Sequence, residues 1–303
     1  MATSPSGLLL IDKPAGHTSH DVVARTRRLA GTRKVGHAGT LDPMATGLLI
    51  LGLESSTRLL TYVVGCDKEY TATIRLGQSS STDDAEGELS AAASADDLRG
   101  VDQRSIEQRM RELTGEIEQV PSTVSAIKVD GKRAYARARA GEHVELAARQ
   151  VTVSEFELDA LRRTNEHVDV DVRVACSSGT YVRALARDIG AALGVGGHLT
   201  RLRRTRIGPF SVRDAAALDG LVVADRIIAP ADAARSLFPT VNLDDARARA
   251  LGHGQRIDPE GFPAADGPIA AIAQHNRLIG LVEVRGSTAR SLVNFPDDER
   301  NPL

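Results

Sequence analysis

An α+β fold follows from three observations in the sequence. Val168, Val170, Val172 and Val174 alternate with Asp169, Asp171 and Arg173, the period-two pattern of an antiparallel strand with one buried face. Leu48 to Leu51 is apolar at every position, as expected of a strand covered on both sides. Between such runs lie stretches with helical periodicity, of which Val182, Leu185, Ile189 and Leu193 form the clearest stripe.

In chain order, Leu8 to Ile11 reads as a short buried strand stopped by Asp12-Lys13-Pro14-Ala15-Gly16. Ser19 is placed to cap a helix from about His20 to Ala30, with Gly31 as its C-terminal stop. Val35 to Leu51 is a glycine-punctuated loop running into an apolar strand. Pro43 fixes its own φ and biases Asp42 towards an extended conformation, so the loop presents this carboxylate stiffly. Thr57 to Val63 reads as a weak helix, and Tyr70, Ala72, Ile74 and Leu76 alternate with polar residues as a half-buried strand. Ser79 to Val101 is small, polar and acidic, and a mobile loop is expected there. Ser105 is expected to cap a helix bearing Ile106, Met110 and Leu113. Gln119 to Arg149 has weak periodicity and reads as an extended basic excursion. A helix starts near Thr180, with Arg183 in its first turn, where a cation opposes the helix dipole and calls for a carboxylate partner. The run Arg201 to Arg206 ends in a short strand at Ile207 to Phe210, and Asp214 to about Ala234 is alanine-rich and expected to be helical. A boundary falls near Pro239. Beyond it Ile269 to Ala273, Leu278 to Val284 and Ser291 to Phe295 are expected as strands of a small appended barrel or sheet.

Composition narrows the function. Apolar residues make up 42% and charged residues 26% of the 303-residue chain, as in soluble globular proteins, with no apolar run long enough to span a membrane and no basic leader. Cys66 and Cys176 form no Cys-x-x-Cys pair, so two buried reduced thiols are expected and no metal is implied. The net charge of −2 conceals an uneven distribution: Asp83 to Glu118 holds eleven acids and four arginines, Leu199 to Arg213 five arginines and no acid. A polyanion would meet the second segment, the cations of Arg25 to Lys34, and those of Lys128 to Arg139.

The loop around Asp42 could bind phosphate, carry an aspartyl nucleophile or simply turn the chain. No P-loop spacing and no Gly-x-Gly-x-x-Gly opening a helix is present, and His37 and Asp42 lack a serine or cysteine nucleophile at hydrolase spacing. Spacing alone leaves the reaction open.

Gly36-His37-Ala38-Gly39-Thr40-Leu41-Asp42-Pro43-Met44-Ala45-Thr46-Gly47 resembles the catalytic signature of the TruB family of tRNA pseudouridine synthases. Further blocks resemble the family in order: Leu10 to Pro14, Lys68-Glu69-Tyr70, Ser178 to Arg183, and His198 to Arg204. The resemblance implies a mixed, largely antiparallel central sheet flanked by helices, with a catalytic domain over 1–238, a thumb-like insertion at about 119–150, and a short PUA-like RNA-binding module over 239–303. It implies isomerisation of the T-loop uridine (position 55) of tRNA, without cofactor, metal or required protein partner, in the cytoplasm. Asp42 is the implied nucleophile, attacking ribose C1′ or uracil C6 or assisting departure of the base to leave a glycal. Arg183 is its implied partner, and Tyr70 stacks on the base and is a candidate for proton transfer. His37 resembles the histidine that helps occupy or stabilise the loop vacated by the flipped nucleotide. Tyr181 and Leu202 match residues lining the uracil pocket, Lys13 with Pro14 braces the loop, and Arg203 and Arg204 are assigned to RNA phosphates. Val124 stands where the family often has an aromatic before Ser125-Ala126-Ile127-Lys128. Two competing readings are an RNA-binding or tRNA-folding chaperone, and an RNA-guided synthase of ribonucleoprotein type. The complete Asp42, Tyr70 and Arg183 set disfavours the first, and the lack of long basic tails the second.

Overall fold

A computed structural model describes residues 6–122, 128–129, 132–133 and 146–296. Strand β1 (Gly7–Lys13) leads into helix α1 (Ser19–Ala30), then β2 (Val35–Ala38) and β3 (Thr46–Leu53). A 3-10 turn over Glu54–Leu59 passes into α2 (Leu60–Gly65), β4 (Lys68–Leu76), α3 (Ala95–Gly100), α4 (Gln103–Glu112) and β5 (Gly115–Gln119). The short strands β6 (Lys128–Val129) and β7 (Lys132–Arg133) precede β8 (Arg149–Arg163), β9 (Val168–Cys176), α5 (Val182–Ala192) and β10 (Gly197–Ile207). The chain continues through β11 (Phe210–Ser211), β12 (Ala216–Ala217), α6 (Pro230–Leu237), β13 (Thr240–Asn242) and α7 (Asp245–Gly252). It ends in β14 (Ile269–Ala273), β15 (Arg277–Arg285) and β16 (Thr288–Asn294). The chain forms two compact units, one of Met1–Pro43, Gly47–Val64 and Gly208–Leu303, the other of Met44–Thr46 and Gly65–Ile207.

In the first unit, β3 pairs antiparallel with β1 on one side and β2 on the other, and β12 joins β1 in parallel. Leu8, Leu9, Ile11 and Leu48 to Leu51 are fully buried, which is why both strands read as unbroken apolar runs. The β2–β3 pairing makes the Asp42 segment the connection of a hairpin rather than a loop throughout, since Val35 to Ala38 is already strand. Gly36 and Gly52 face each other across that hairpin, and a Cβ on either would come within 3.0 Å of Leu60. Close packing of α2 therefore requires these two glycines. Helix α1 starts on a capping box: the Thr18 side chain accepts from the Asp21 N–H, and Asp21 accepts from the Thr18 N–H at 2.8 Å. The cap is Thr18, one residue before the expected Ser19, which is used elsewhere.

The expected helix over Asp214 to Ala234 is broken. Leu8 and Ile228 exchange backbone hydrogen bonds of 3.0 and 2.8 Å, a pairing that holds the segment extended, and the helix begins only at Pro230, whose locked φ suits a first helical position. The C-terminal strands fall close to expectation, as a four-stranded sheet in the order β13, β14, β15, β16. Val241, Leu251, Ile269, Ile279 and Val282 are buried together beneath it.

The second unit is an antiparallel sheet in the order β10, β4, β9, β8, β5. Its inner face carries Tyr70, Ala72, Val170, Val172, Val174 and Leu202, all buried. On the outer face, Arg75 grips Asp169 through two bonds of 2.8 Å, and Asp171 takes Thr73 at 2.6 Å and Arg162. The Arg201 to Arg206 run is itself strand, wholly within β10. Helix α4 is capped by Asp102, with Ser105 completing the capping box from inside the helix.

The expected mobile loop from Ser79 to Val101 is a structured segment. Ser80, Asp83 and Asp84 are buried, Asp83 accepts the Leu199 N–H at 3.0 Å through its carbonyl, and α3 follows. Its hydroxyls and carboxylates bond within the fold, so polarity here is no sign of solvation. Gln119 of β5 pairs with Arg149 of β8, so the intervening excursion leaves and re-enters the sheet on one rung. Most of that excursion, including Val124 to Ile127, Arg137 and Arg139, lies outside the described residues.

Candidate active site

Asp42 is half-buried between Leu41 and Ala45, which are 4% and 0% exposed. Both of its peptide neighbours are fixed. On one side Ser19 Oγ accepts the Leu41 N–H at 2.9 Å and donates to the Leu41 carbonyl at 3.3 Å. On the other, the Pro43 carbonyl accepts from the Gly16 N–H at 2.9 Å and from Lys13 Nζ at 3.3 Å. Lys13 is fully buried and also donates to the Pro14 and His17 carbonyls at 3.0 and 2.7 Å. Three donors meet three carbonyls, which offsets the cost of burying the ammonium. Lys13 thus acts on the backbone beside Asp42. His37 on β2 makes an edge-to-face contact with His20 of α1, ring centroids 5.5 Å apart. The unit therefore gathers Lys13, His37 and Asp42 around one hairpin end.

Tyr70, Tyr181, Arg183, Leu202, Arg203 and Arg204 belong to the second unit. Tyr70 lies opposite Val174 on β9 and Arg204 on β10, and Leu202 lies opposite Ala72, so directly facing side chains share the inner sheet face. Tyr181 is the residue before α5. Its main-chain N–H donates to Gln119 Oε1 at 2.8 Å and its carbonyl accepts from Gln119 Nε2 at 3.1 Å. Arg183 is buried and its Nη1 reaches the Thr82 carbonyl at 2.9 Å and Asp84 Oδ2 at 3.2 Å. Ser122 Oγ donates to the same Thr82 carbonyl at 3.1 Å. One turn along α5, Arg187 pairs with Asp83 at 3.3 Å and donates to the Val120 carbonyl at 2.8 Å. Burial pushes the Asp83 carboxyl above its ordinary range, against the opposing pull of Ser122 and Arg187.

Asp83, Asp84, Gln119 and Ser122 were not marked by the sequence reading. The signal available was the pair Arg183 and Arg187, one helical turn apart, which together require two acids. Arg204 corrects an expectation: at 1% exposure it is part of the interior and is not presented to a phosphate. Arg203 is half-buried and reaches Thr46 Oγ1 at 3.5 Å, while Arg201 is the exposed cation of this strand. Cys66, expected to be buried, is only half-buried; Cys176 is buried, and burial pushes its thiol up to about 11. Lys68 is buried on the same strand as Tyr70, and burial followed by the nearby Arg204 pulls its ammonium below the ordinary lysine range.

Residues 27–182 match the family model described as TruB family pseudouridylate synthase, N-terminal domain. The chain belongs to the TruB family. Within this TruB chain, residues 183–237 match the tRNA pseudouridylate synthase B C-terminal domain, and residues 238–296 match the tRNA pseudouridine synthase II C-terminal model. The tRNA pseudouridine synthase B of Leifsonia xyli subsp. xyli is 62% identical, covering 97% of this chain and 98% of its own. That of Thermobifida fusca is 54% identical, covering 95% and 98%. Among solved structures, a chain of a Cbf5-Nop10-Gar1 complex is similar with a TM-score of 0.71 at 28% identity, covering 98% of the TruB chain and 87% of its own. A chain of an H/ACA ribonucleoprotein bound to a substrate RNA is similar with a TM-score of 0.70 at 27% identity, covering 97% and 86%.

Proposed function

We propose that this TruB-family protein isomerises uridine to pseudouridine in tRNA, at the T-loop uridine, with Asp42 as the essential carboxylate. The observation that carries this reading is the fixing of the backbone on both sides of Asp42, by Ser19 at Leu41 and by Lys13 and Gly16 at Pro43. A nucleophile or proton acceptor so held needs little reorganisation when substrate arrives, which is where much of an enzyme's advantage resides. The reaction breaks the bond from ribose C1′ to uracil N1 and forms one from C1′ to C5. The C5 proton leaves and N1 gains one, so no external group is consumed. Asp42 acts at C1′, at uracil C6, or in releasing the base as a glycal is formed.

The target nucleotide must leave its stack, at a cost of a few kcal/mol. In this reading Tyr70 receives the flipped base against its ring and serves late proton transfer, and Tyr181 and Leu202 line the uracil pocket. His37 supports the RNA loop from which the base departs. Arg183 keeps Asp42 ionised and oriented, sharing its guanidinium with Asp84. Arg203 and the excursion at 119–150 contact the RNA backbone, and residues 239–303 act as a PUA-like RNA-binding module appended to a catalytic domain over 1–238. The enzyme works in the cytoplasm, where its tRNA is, and requires no protein partner.

The test is mass-spectrometric mapping of pseudouridine in an unmodified tRNA transcript after incubation with the purified chain. Conversion at the T-loop uridine is expected, and Asp42→Ala should abolish it while tRNA is still bound. Turnover by that variant, or conversion confined to other positions, overturns the proposal.

A further inference from the structure

Arg187, one turn along α5 from Arg183, ties three stretches of the second unit together. Its Nε donates to Asp188 Oδ1 at 2.9 Å, its Nη1 lies 3.3 Å from Asp83 Oδ2, and its Nη2 donates to the Val120 carbonyl at 2.8 Å. Each nitrogen of the fork has its own acceptor, a geometry that the single ammonium of a lysine does not reproduce. Asp83 is buried and stands in the left-handed region with φ of 61°, a conformation uncommon outside glycine. Such a residue persists where its surroundings hold it. The Leu199 N–H on the Asp83 carbonyl at 3.0 Å is one restraint, and Arg187 on the carboxylate is another. That φ turns the peptide between Thr82 and Asp83, whose carbonyl receives both Arg183 Nη1 at 2.9 Å and Ser122 Oγ at 3.1 Å. Val120 and Ser122 belong to the segment that follows β5, so α5 meets this segment twice around the Asp83 turn: directly from Arg187 to Val120, and from Arg183 to Ser122 through one shared oxygen. Holding the Asp83 side chain thus fixes the backbone acceptor of Arg183.

We infer that Arg187 is a positioning residue for Arg183: by clamping Asp83 and Val120 to α5 it sets the direction of the Thr82 carbonyl, and with it the guanidinium assigned to Asp42. The inference rests on the proposed function for the role of Arg183 at Asp42. The test measures single-turnover conversion of an unmodified tRNA transcript at saturating protein, and tRNA affinity separately, for the full chain and its variants. Arg187→Met should slow conversion by about tenfold, within the range that a small misplacement of reacting groups costs, while Kd changes by less than about twofold. Arg187→Lys, which keeps a charge beside Asp83 without the fork, should regain only part of the rate. Ser122→Ala leaves α5 untouched and should slow conversion severalfold. The double variant should then be no slower than Arg187→Met alone, because both side chains act on one carbonyl. A double variant slowed by the product of the two single effects overturns the inference, as does an unchanged rate for Arg187→Met or complete recovery by Arg187→Lys. A weaker Kd with an unchanged rate also overturns it, since Arg187 would then serve the RNA directly. Hydrogen exchange of the Leu199 amide reads the Asp83 turn from β10, without turnover, and should quicken in Arg187→Met. Were that variant not to fold, Arg187→Lys carries both measurements, with equality to wild type overturning the inference. Unchanged exchange at Leu199 overturns it even where wild type makes no pseudouridine, a result that by itself fails the proposed function alone.

Discussion

Arg183 and Asp84 form an ion pair of 3.2 Å between side chains that are 4% and 3% exposed. Arg183, proposed above as the partner of Asp42, therefore has a carboxylate within its own unit. A lone guanidinium at this depth would carry a large desolvation cost, and Asp84 with the Thr82 carbonyl offsets it. Removing Asp84 with Asp84→Ala is expected to lower stability by about 3–5 kcal/mol, the usual cost of leaving one member of a buried pair uncompensated. Urea unfolding measures this. Asp84→Asn, which keeps an acceptor near Arg183, should recover part of the loss; identical unfolding of wild type and Asp84→Ala would show the pair to be energetically idle.

Lys13→Met removes three hydrogen bonds to carbonyls beside and before the Asp42 hairpin, including the one to Pro43. Turnover at saturating tRNA is expected to fall by roughly tenfold to a hundredfold as the carboxylate loses its fixed position. Affinity for tRNA should hold, because the buried ammonium offers nothing to RNA. A rise in Kd with unchanged kcat would assign Lys13 to binding instead.

Gln119 bonds both backbone groups of Tyr181 while standing at the root of the excursion between β5 and β8. Gln119→Leu removes the acceptor that Gln119 offers the Tyr181 N–H, at about 1–3 kcal/mol, while the Tyr181 carbonyl keeps its bonds from Ala184 and Leu185. Since the affected residue is assigned to the uracil pocket, KM and kcat should both worsen. Gln119→Glu retains the acceptor for the Tyr181 N–H and should be milder; equal damage from the two variants would exclude this hydrogen bond as the cause.

Acid sensitivity has two contributors on the outer face of the second sheet, Asp169, held down by Arg75, and Asp171, whose shift is the larger. Arg162, with help from Thr73, holds the Asp171 carboxyl down at about 2. An unfolded aspartate titrates near about 3.9, so the paired carboxylate favours the folded state above that pH, and the contribution is lost as pH falls from about 4 to about 2. Because Arg162 is half-exposed, the effect should be modest. The Asp171→Asn variant should show a shallower decline in denaturation midpoint over that window than wild type. Parallel declines would place the acid sensitivity elsewhere.

Where side-chain pattern and backbone geometry coincide, the sequence was readable. The valine alternation from Val168 to Val174 matches a strand buried on one face, and the apolar run from Leu48 to Leu51 a strand buried on both. Strand β10 was legible only at its end because register shifts between Leu199 and Arg201, and between Arg204 and Arg206, interrupt the two-residue period. They also help explain how Arg204 comes to be buried in a run that reads as surface. The Asp214 to Ala234 stretch misled because alanine content reports helix propensity, whereas backbone pairing of Ile228 with Leu8 is a tertiary choice. At the site, the motif located the Asp42 hairpin, but its supports come from Lys13, Gly16 and Ser19, well upstream in sequence. Asp84 stayed hidden for the same reason: its partner lies 99 residues away.

The shared rung of Gln119 and Arg149 separates the history of the excursion from that of the sheet. Facing residues of an antiparallel pair stand only about 5 Å apart, so any chain able to close that short gap fits between them. The entropy of closing such a loop grows only logarithmically with its length. Beyond Val120 and Ser122, which bond Arg187 and the Thr82 carbonyl, residues can therefore be gained or lost between 123 and 148 with little thermodynamic consequence for β5 and β8. Lineages, or an engineer, are free to resize or replace the segment while the framework bearing Tyr181 and Arg183 is inherited unchanged.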